Sequence, residues 1–194
     1  THVSAFMAAA VKAGGAVVLW RLFSLFDGGP IREVFWWLAV ITAVSANLMA
    51  LGQKSLKRLL AYSSVAHAGY IAVAFFGGRQ GFEAVLYYLP VYAMATIGAF
   101  SVALLLEKEE KGPLIEDLAG LAQSRPWLAA AMSAFMFSLA GVPPLAGFFA
   151  KFYAFAGAVN GGYTGLVIIA IIMSAVSIYY YLKVTVVMYM KPAA

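Results

Sequence analysis

The chain is built from apolar runs of about 20 residues or longer, each enough at a rise of 1.5 Å per residue to cross a hydrocarbon core of about 30 Å. None shows the in-out alternation of a membrane barrel strand. In lipid the backbone must satisfy its own hydrogen bonds, so such runs fold as helices. Composition agrees: 64% of residues are hydrophobic and 11% charged, against about 45–50% and 25% in a soluble domain. The expected fold is an all-α polytopic transmembrane bundle forming a single domain over 1–194. Its spans are read at about 3–26, 33–52, 57–78, 82–107, 126–158 and 163–190, with 108–125 as a cytoplasmic loop of mixed charge and a short surface helix.

Charge placement orients these spans. Lys54, Lys57, Arg58, Lys108, Lys111, Arg125 and Lys191 fall in the loops after the second and fourth spans and in the tail, whereas the opposite loops offer mainly Arg32 and Arg79. Positive loops stay preferentially in the cytoplasm, which supports six crossings and explains the net charge of +5 without nucleic acid. Zero cysteines and only two histidines, His2 and His67, exclude thiolate metal sites, iron–sulfur ligation and a histidine cage. No nucleophile–base pair or phosphate-cradling loop is present, so redox and bond chemistry are expected elsewhere.

Three features stand out against this apolar background. Lys12 and Lys151 lie inside apolar runs with no acid nearby in sequence. An ammonium at that depth costs roughly 2.5–3.5 kcal/mol even on the lenient insertion scale, and intramembrane charges by default mark ion paths. Lys12 is about 13 Å into its span, too deep to reach the headgroups with ease. A desolvated lysine can trade its proton near neutral pH, which suits it to proton carriage; the competing role is a lock onto an acid of another helix or subunit. With no Asp or Glu near mid-membrane, compensation is expected from water, from hydroxyls such as Ser133, Ser138 and Thr96, or from a partner.

The segment Gly141-Val142-Pro143-Pro144-Leu145-Ala146-Gly147 is the second feature. Adjacent prolines flanked by glycines cannot continue a helix, so the 126–158 span is discontinuous, with Lys151 about one turn beyond the break. The third is His67, about 15 Å from the basic start of its span, with Ser63 and Ser64 one turn back on the same face. It suits proton passage, or equally a bond to a helix carbonyl. Lys57 reads as a topology anchor with a possible supporting role. Gly14, Gly15, Gly69 and the alanines at 8–10 and 129–131 are expected to admit neighbouring helices, Pro90 to kink its span, and Trp20, Trp36, Trp37 and Trp127 to sit at the membrane surfaces.

Four segments carry a family resemblance: LKRLLAYSSVAHAGY at 56–70, FSLAGVPPLAGFFAKF at 137–152, VSAFMAAAVKAG at 3–14 and IYYYLKV at 178–184. Together they resemble the antiporter-like membrane subunits of respiratory NADH:quinone oxidoreductase (complex I), whose relatives include cation/proton antiporters and membrane-bound hydrogenases. The N type, homologous to mitochondrial subunit 2, fits best: the M type is expected to have glutamate at the Lys151 position, and the L type usually has histidine in the helix that here carries Lys12. The resemblance implies a fourteen-helix fold of two inverted repeats, of which this partial chain supplies roughly helices eight to thirteen.

Under that resemblance, Lys12, His67 and Lys151 form a proton path, with Lys57, Ser63 and Ser64 in support and the break at Gly141, Pro143, Pro144 and Gly147 admitting water. The implied protein is a multi-pass subunit of the bacterial inner membrane, or the mitochondrial one if organellar, seated among the other membrane-arm subunits. It binds no soluble substrate directly. FMN, iron–sulfur clusters and quinone are implied in other parts of the complex, and no cofactor or redox catalysis on this chain. A subunit of a multisubunit cation/proton antiporter and a purely structural spacer are the alternatives.

Overall fold

The computed structural model describes residues 2–25, 29–107 and 112–192. Lys108 and Lys111, and the side chains of Ala8, Ala9 and Ala10, lie outside the described set. The elements run α1 His2–Leu25, α2 Pro30–Leu51, α3 Leu56–Phe75, α4 Gly78–Leu105, a 3-10 turn Glu116–Leu118, α5 Leu121–Ser124, α6 Pro126–Ala140, α7 Ala146–Asn160 and α8 Thr164–Met190. The fold is all-helical, as the apolar runs require. Prolines open α2 and α6 at their first turns, where the missing N–H has no intrahelical partner to lose. The second helix therefore begins three residues ahead of the sequence reading, while α4 continues through Pro90.

Three helices, Pro30–Leu51, Gly78–Leu105 and Thr164–Met190, are long and apolar enough to cross a membrane by length and composition among the described residues. They expose large apolar side chains such as Ile41, Met94, Ile171 and Tyr179, as lipid-facing helices do. Helix α3 is their inverse. It carries Lys57, Arg58, Ser63, Ser64 and His67, is buried along most of its length, and touches α1, α2, α4, α7 and α8. A polar helix is tolerated at membrane depth when protein surrounds it, so the least apolar long segment becomes the centre of the bundle.

Small residues permit this enclosure. Ala39, Ala43, Ala46 and Ala50 form one buried stripe of α2, and it meets α3 at Gly69, where a Cβ would come 2.7 Å from the Ala43 nitrogen. Gly14 and Gly15 do not act this way within this chain, for a Cβ on either meets no atom within 4 Å. The inward stripe of α1 is instead Lys12, Ala16, Trp20 and Phe23, which leaves the glycines outside it. Trp20 is packed inward near the ends of α3 and α4: its ring stacks on Phe82 at 4.9 Å and contacts Phe75 at 5.6 Å.

The loop leading to α6 is more than a solvated connection. Ile115 donates its N–H to the Lys54 carbonyl at 2.8 Å, Leu56 donates to Pro113 at 3.1 Å, and Ile115 and Leu118 are buried. These contacts staple residues 112–118 across the turn between α2 and α3.

Candidate functional site

Lys12 reaches from α1 into the interface of α3 and α4. Its amine donates to the Ser64 carbonyl, to Ser64 Oγ at 2.6 Å and to Tyr92 Oη at 3.0 Å, using all three protons. The nitrogen also lies 4.6 Å from the centre of the Tyr92 ring. Ser64 faces Lys12 because it stands three residues before His67 on the inward side of α3.

His67 occupies the middle of the bundle, 4% exposed. Its Nδ1 lies 2.7 Å from Tyr88 Oη and its Nε2 3.1 Å from Tyr181 Oη. A neutral imidazole donates through one nitrogen and accepts through the other, so one phenol accepts from the ring while the other donates to it. Tyr181 Oη is bonded in turn to Ser63 Oγ, one helical turn before the histidine. The Tyr92 ring that receives Lys12 packs 4.9 Å from the imidazole. A cavity of about 10 Å³, lined in part by His67, Tyr92, Ser138 and Gly147, adjoins the ring and has the volume of about one water.

Lys151, 5% exposed, extends from α7 back across the helix break. Helix α6 ends at Ala140, capped by Gly141 at φ +83°, a left-handed conformation suited to glycine. Lys151 Nζ donates to the Ala140 carbonyl at 2.9 Å and to Ser174 Oγ of α8 at 3.0 Å, and sits 5.2 Å from the Tyr70 ring centre. The break thus supplies a carbonyl left without an intrahelical partner, at the negative end of the α6 dipole. Gly147 closes the two half-helices together, since a Cβ there would fall 1.8 Å from the Ser138 carbonyl oxygen. Lys151 and Ser174 also line a cleft of about 430 Å³ between α7 and α8, walled by Phe148, Phe152, Phe155 and Ile171.

The structure therefore sets Lys12, Ser63, Ser64, His67, Lys151 and the 141–147 break in one band across the bundle, in which the rings of Tyr92 and Tyr70 lie between His67 and the two lysines. Lys57 stands apart from it, about 15 Å along α3 from His67, and its amine is paired with Glu107 at the end of α4. The compensation expected from Ser133, Ser138 and Thr96 comes instead from Ser64, Tyr92, Ala140 and Ser174. Ser133 Oγ and Thr96 Oγ1 have no hydrogen-bond partner among the described residues. Sequence reading also missed Asn47, Tyr70, Tyr88 and Tyr92. Their spacing with apolar residues matches an ordinary core face, and Asn47 lies among the alanines of the α2 stripe, in the last turns of that helix. Among the described residues no cluster of three or more His, Asp or Glu could hold a metal ion.

Residues 1–187 match the family described as NADH:quinone oxidoreductase/Mrp antiporter, TM. The chain belongs to that family. It is 48% identical over 197 residues to NADH-quinone oxidoreductase subunit N of Trichlorobacter lovleyi, covering 99% of this chain and 40% of the relative. It superposes on a chain of respiratory complex I from Thermus thermophilus with bound Aureothin at a TM-score of 0.85 and 40% identity, covering 98% of this chain and 42% of that one. A chain of the membrane-bound sulfane sulfur reductase, an archaeal respiratory membrane complex, gives a TM-score of 0.90 at 25% identity over 99% of this chain and 40% of that one.

The chain thus spans about two fifths of the length of the relatives it matches. As a member of the family it is a multi-pass protein of the bacterial inner membrane. The polar band is accordingly a feature of one helical unit of a longer family fold.

Proposed function

We propose that this chain is part of a proton-translocating membrane-arm subunit of NADH:quinone oxidoreductase, of the N type. The whole subunit moves protons, driven by quinone reduction in other subunits of the complex. FMN and the iron–sulfur clusters belong to those other subunits, and this chain performs no redox step. Its partners are the neighbouring membrane-arm subunits and the bilayer. The helices cross the membrane six times, α6 and α7 together making one crossing, with Lys54, Lys57, Arg125 and Lys191 on the cytoplasmic side.

The observation that carries this reading is the pair of intramembrane amines flanking His67, each held by hydroxyls and carbonyls and neither paired with an acid among the described residues. An amine held by hydroxyls and carbonyls, and not by a carboxylate, is free to lose its proton without leaving an unpaired anion behind. Tautomer exchange at His67 reverses both of its tyrosine bonds, so a proton delivered on the Tyr181 side is matched by one released on the Tyr88 side. The identity with subunit N relatives supports assignment to the oxidoreductase.

The test is Lys12→Met in the intact complex, with NADH-driven proton uptake measured in sealed inner-membrane vesicles. Pumping and coupled turnover are expected to fall; an unchanged rate and an unchanged proton-to-electron stoichiometry count against the reading. Membership of a family that also contains Mrp antiporters supports a second reading, a subunit of a cation/proton antiporter. That reading requires sodium- or potassium-dependent proton exchange in vesicles without NADH.

A further inference from the structure

Asn47 of α2 is wholly buried and has no place in the band described above. Its amide nitrogen donates to the Ala43 carbonyl at 2.6 Å and to Tyr70 Oη at 2.9 Å, and its Oδ1 accepts from Tyr180 Oη at 3.0 Å. Both amide protons are therefore used, and one side chain ties α2, α3 and α8 together. The ring of Tyr70 presents its face to Lys151 Nζ at 5.2 Å.

We infer that Asn47 is a positioning residue for Lys151, acting through the ring of Tyr70. This rests on the reading of Lys151 as a proton-carrying group. Two of the Lys151 amine protons are directed at the Ala140 carbonyl and Ser174 Oγ, and the aromatic face completes the shell around the third. A desolvated ammonium over a tyrosine face gains electrostatically only while the ring keeps its distance and tilt. The wholly buried Tyr70 ring meets Phe155 at 5.9 Å and His67 at 5.6 Å, both in T-shaped arrangements. The bond from Asn47 to its hydroxyl sets where the phenol end of the ring points, and the bond from Asn47 to Ala43 within its own helix fixes the amide.

Asn47 does not itself conduct. A carboxamide donates through nitrogen and accepts through oxygen, and it returns to its starting state after passing a proton only by way of an unstable tautomer. Placed between Tyr180 and Tyr70, it bonds both phenols and fixes where each one points.

The experiment uses the intact complex in sealed vesicles and reads the rate of NADH-driven proton translocation, with complex assembly checked on native gels. Lys151→Met tests the underlying reading: an unchanged rate overturns that reading and the positioning role with it. With Lys151→Met impaired, Asn47→Leu is expected to lower translocation about threefold, a loss of the size expected from one buried hydrogen bond. Tyr70→Phe, which keeps the ring and breaks the same bond, is expected to match it, and Tyr70→Leu to exceed both. The double variant Asn47→Leu/Tyr70→Phe is expected to be no worse than Asn47→Leu, because both single variants remove the Asn47–Tyr70 bond through which Asn47 reaches Lys151. Wild-type rates in Asn47→Leu, or losses that multiply in the double variant, overturn the proposal. If Asn47→Leu fails to assemble, Tyr70→Phe alone decides: a wild-type rate overturns it and a threefold loss supports it.

Discussion

Lys12 and Lys151 are the same side chain held in two different ways. The shell of Lys12 comes from an unbroken helix and a phenol: one serine supplies both its hydroxyl and its carbonyl, and Tyr92 supplies the third acceptor. That carbonyl already serves its own helix. The shell of Lys151 is built on a helix that stops, where the Ala140 carbonyl has lost its intrahelical partner and the α6 dipole adds partial negative charge. Lys12 is partly open and two of its three acceptors are side-chain hydroxyls that can rotate, whereas Lys151 is enclosed and one of its two acceptors is the carbonyl left over at the end of α6. A broken helix can therefore do the work of a carboxylate counterion while carrying no titratable group, which leaves the lysine free to exchange its proton.

If the two sites differ in this way, removing the amines has unequal consequences. Lys151→Met strands the Ala140 carbonyl in a buried site and is expected to slow NADH-driven proton translocation about tenfold, since an unsatisfied buried acceptor costs about 1–3 kcal/mol. Next in size is Gly147→Ala. Its Cβ would meet the Ser138 carbonyl at 1.8 Å, a backbone atom that cannot rotate away, so α6 and α7 must separate and carry Ala140 from Lys151. A loss of about fivefold in the same assay is expected, equivalent to about 1 kcal/mol. Lys12→Met leaves Ser64 and Tyr92 able to bond each other or water, and about a threefold loss is expected. Equal losses for the two lysines, or a wild-type rate for Gly147→Ala, break the contrast.

Much of this arrangement was legible from residues alone, and the parts that were not have a common cause. Apolar run length gave the helices, and the Gly141–Gly147 punctuation gave the interruption, because backbone chemistry is local. Lys12, His67 and Lys151 stood out because charge and imidazole are rare in such runs. The partners of those groups did not, because Tyr70, Tyr88, Tyr92 and Tyr181 are large and mostly apolar and are distributed among apolar neighbours just as packing residues are. Whether a phenol turns its hydroxyl to a histidine depends on helix rotation, which sequence periodicity fixes only coarsely. Asn47 and the Ala140 carbonyl were hidden more deeply: one lies on an alanine-rich stripe, and the other is backbone. The error over Ser133 and Thr96 has the same root, since depth along a helix was readable while azimuth was not.

The smallest expected effects sharpen the contrast most, because they reverse its order. Ser64→Ala removes the 2.6 Å hydroxyl from a shell made largely of that one residue, and about a twofold loss of translocation is expected. Ser174→Ala removes the 3.0 Å hydroxyl from Lys151 but leaves the Ala140 carbonyl, the α6 dipole and the Tyr70 face in place. Its loss is expected to stay below about 1.5-fold. Lys151 is thus the more damaging lysine to delete and Ser174 the less damaging serine. No single scale of site importance yields that crossing; it requires one amine to depend mainly on hydroxyls, beside a carbonyl that already serves its own helix, and the other on the freed carbonyl at the end of a helix. A larger loss from Ser174→Ala than from Ser64→Ala means hydroxyls hold both amines, and leaves the broken helix with no task but to admit water.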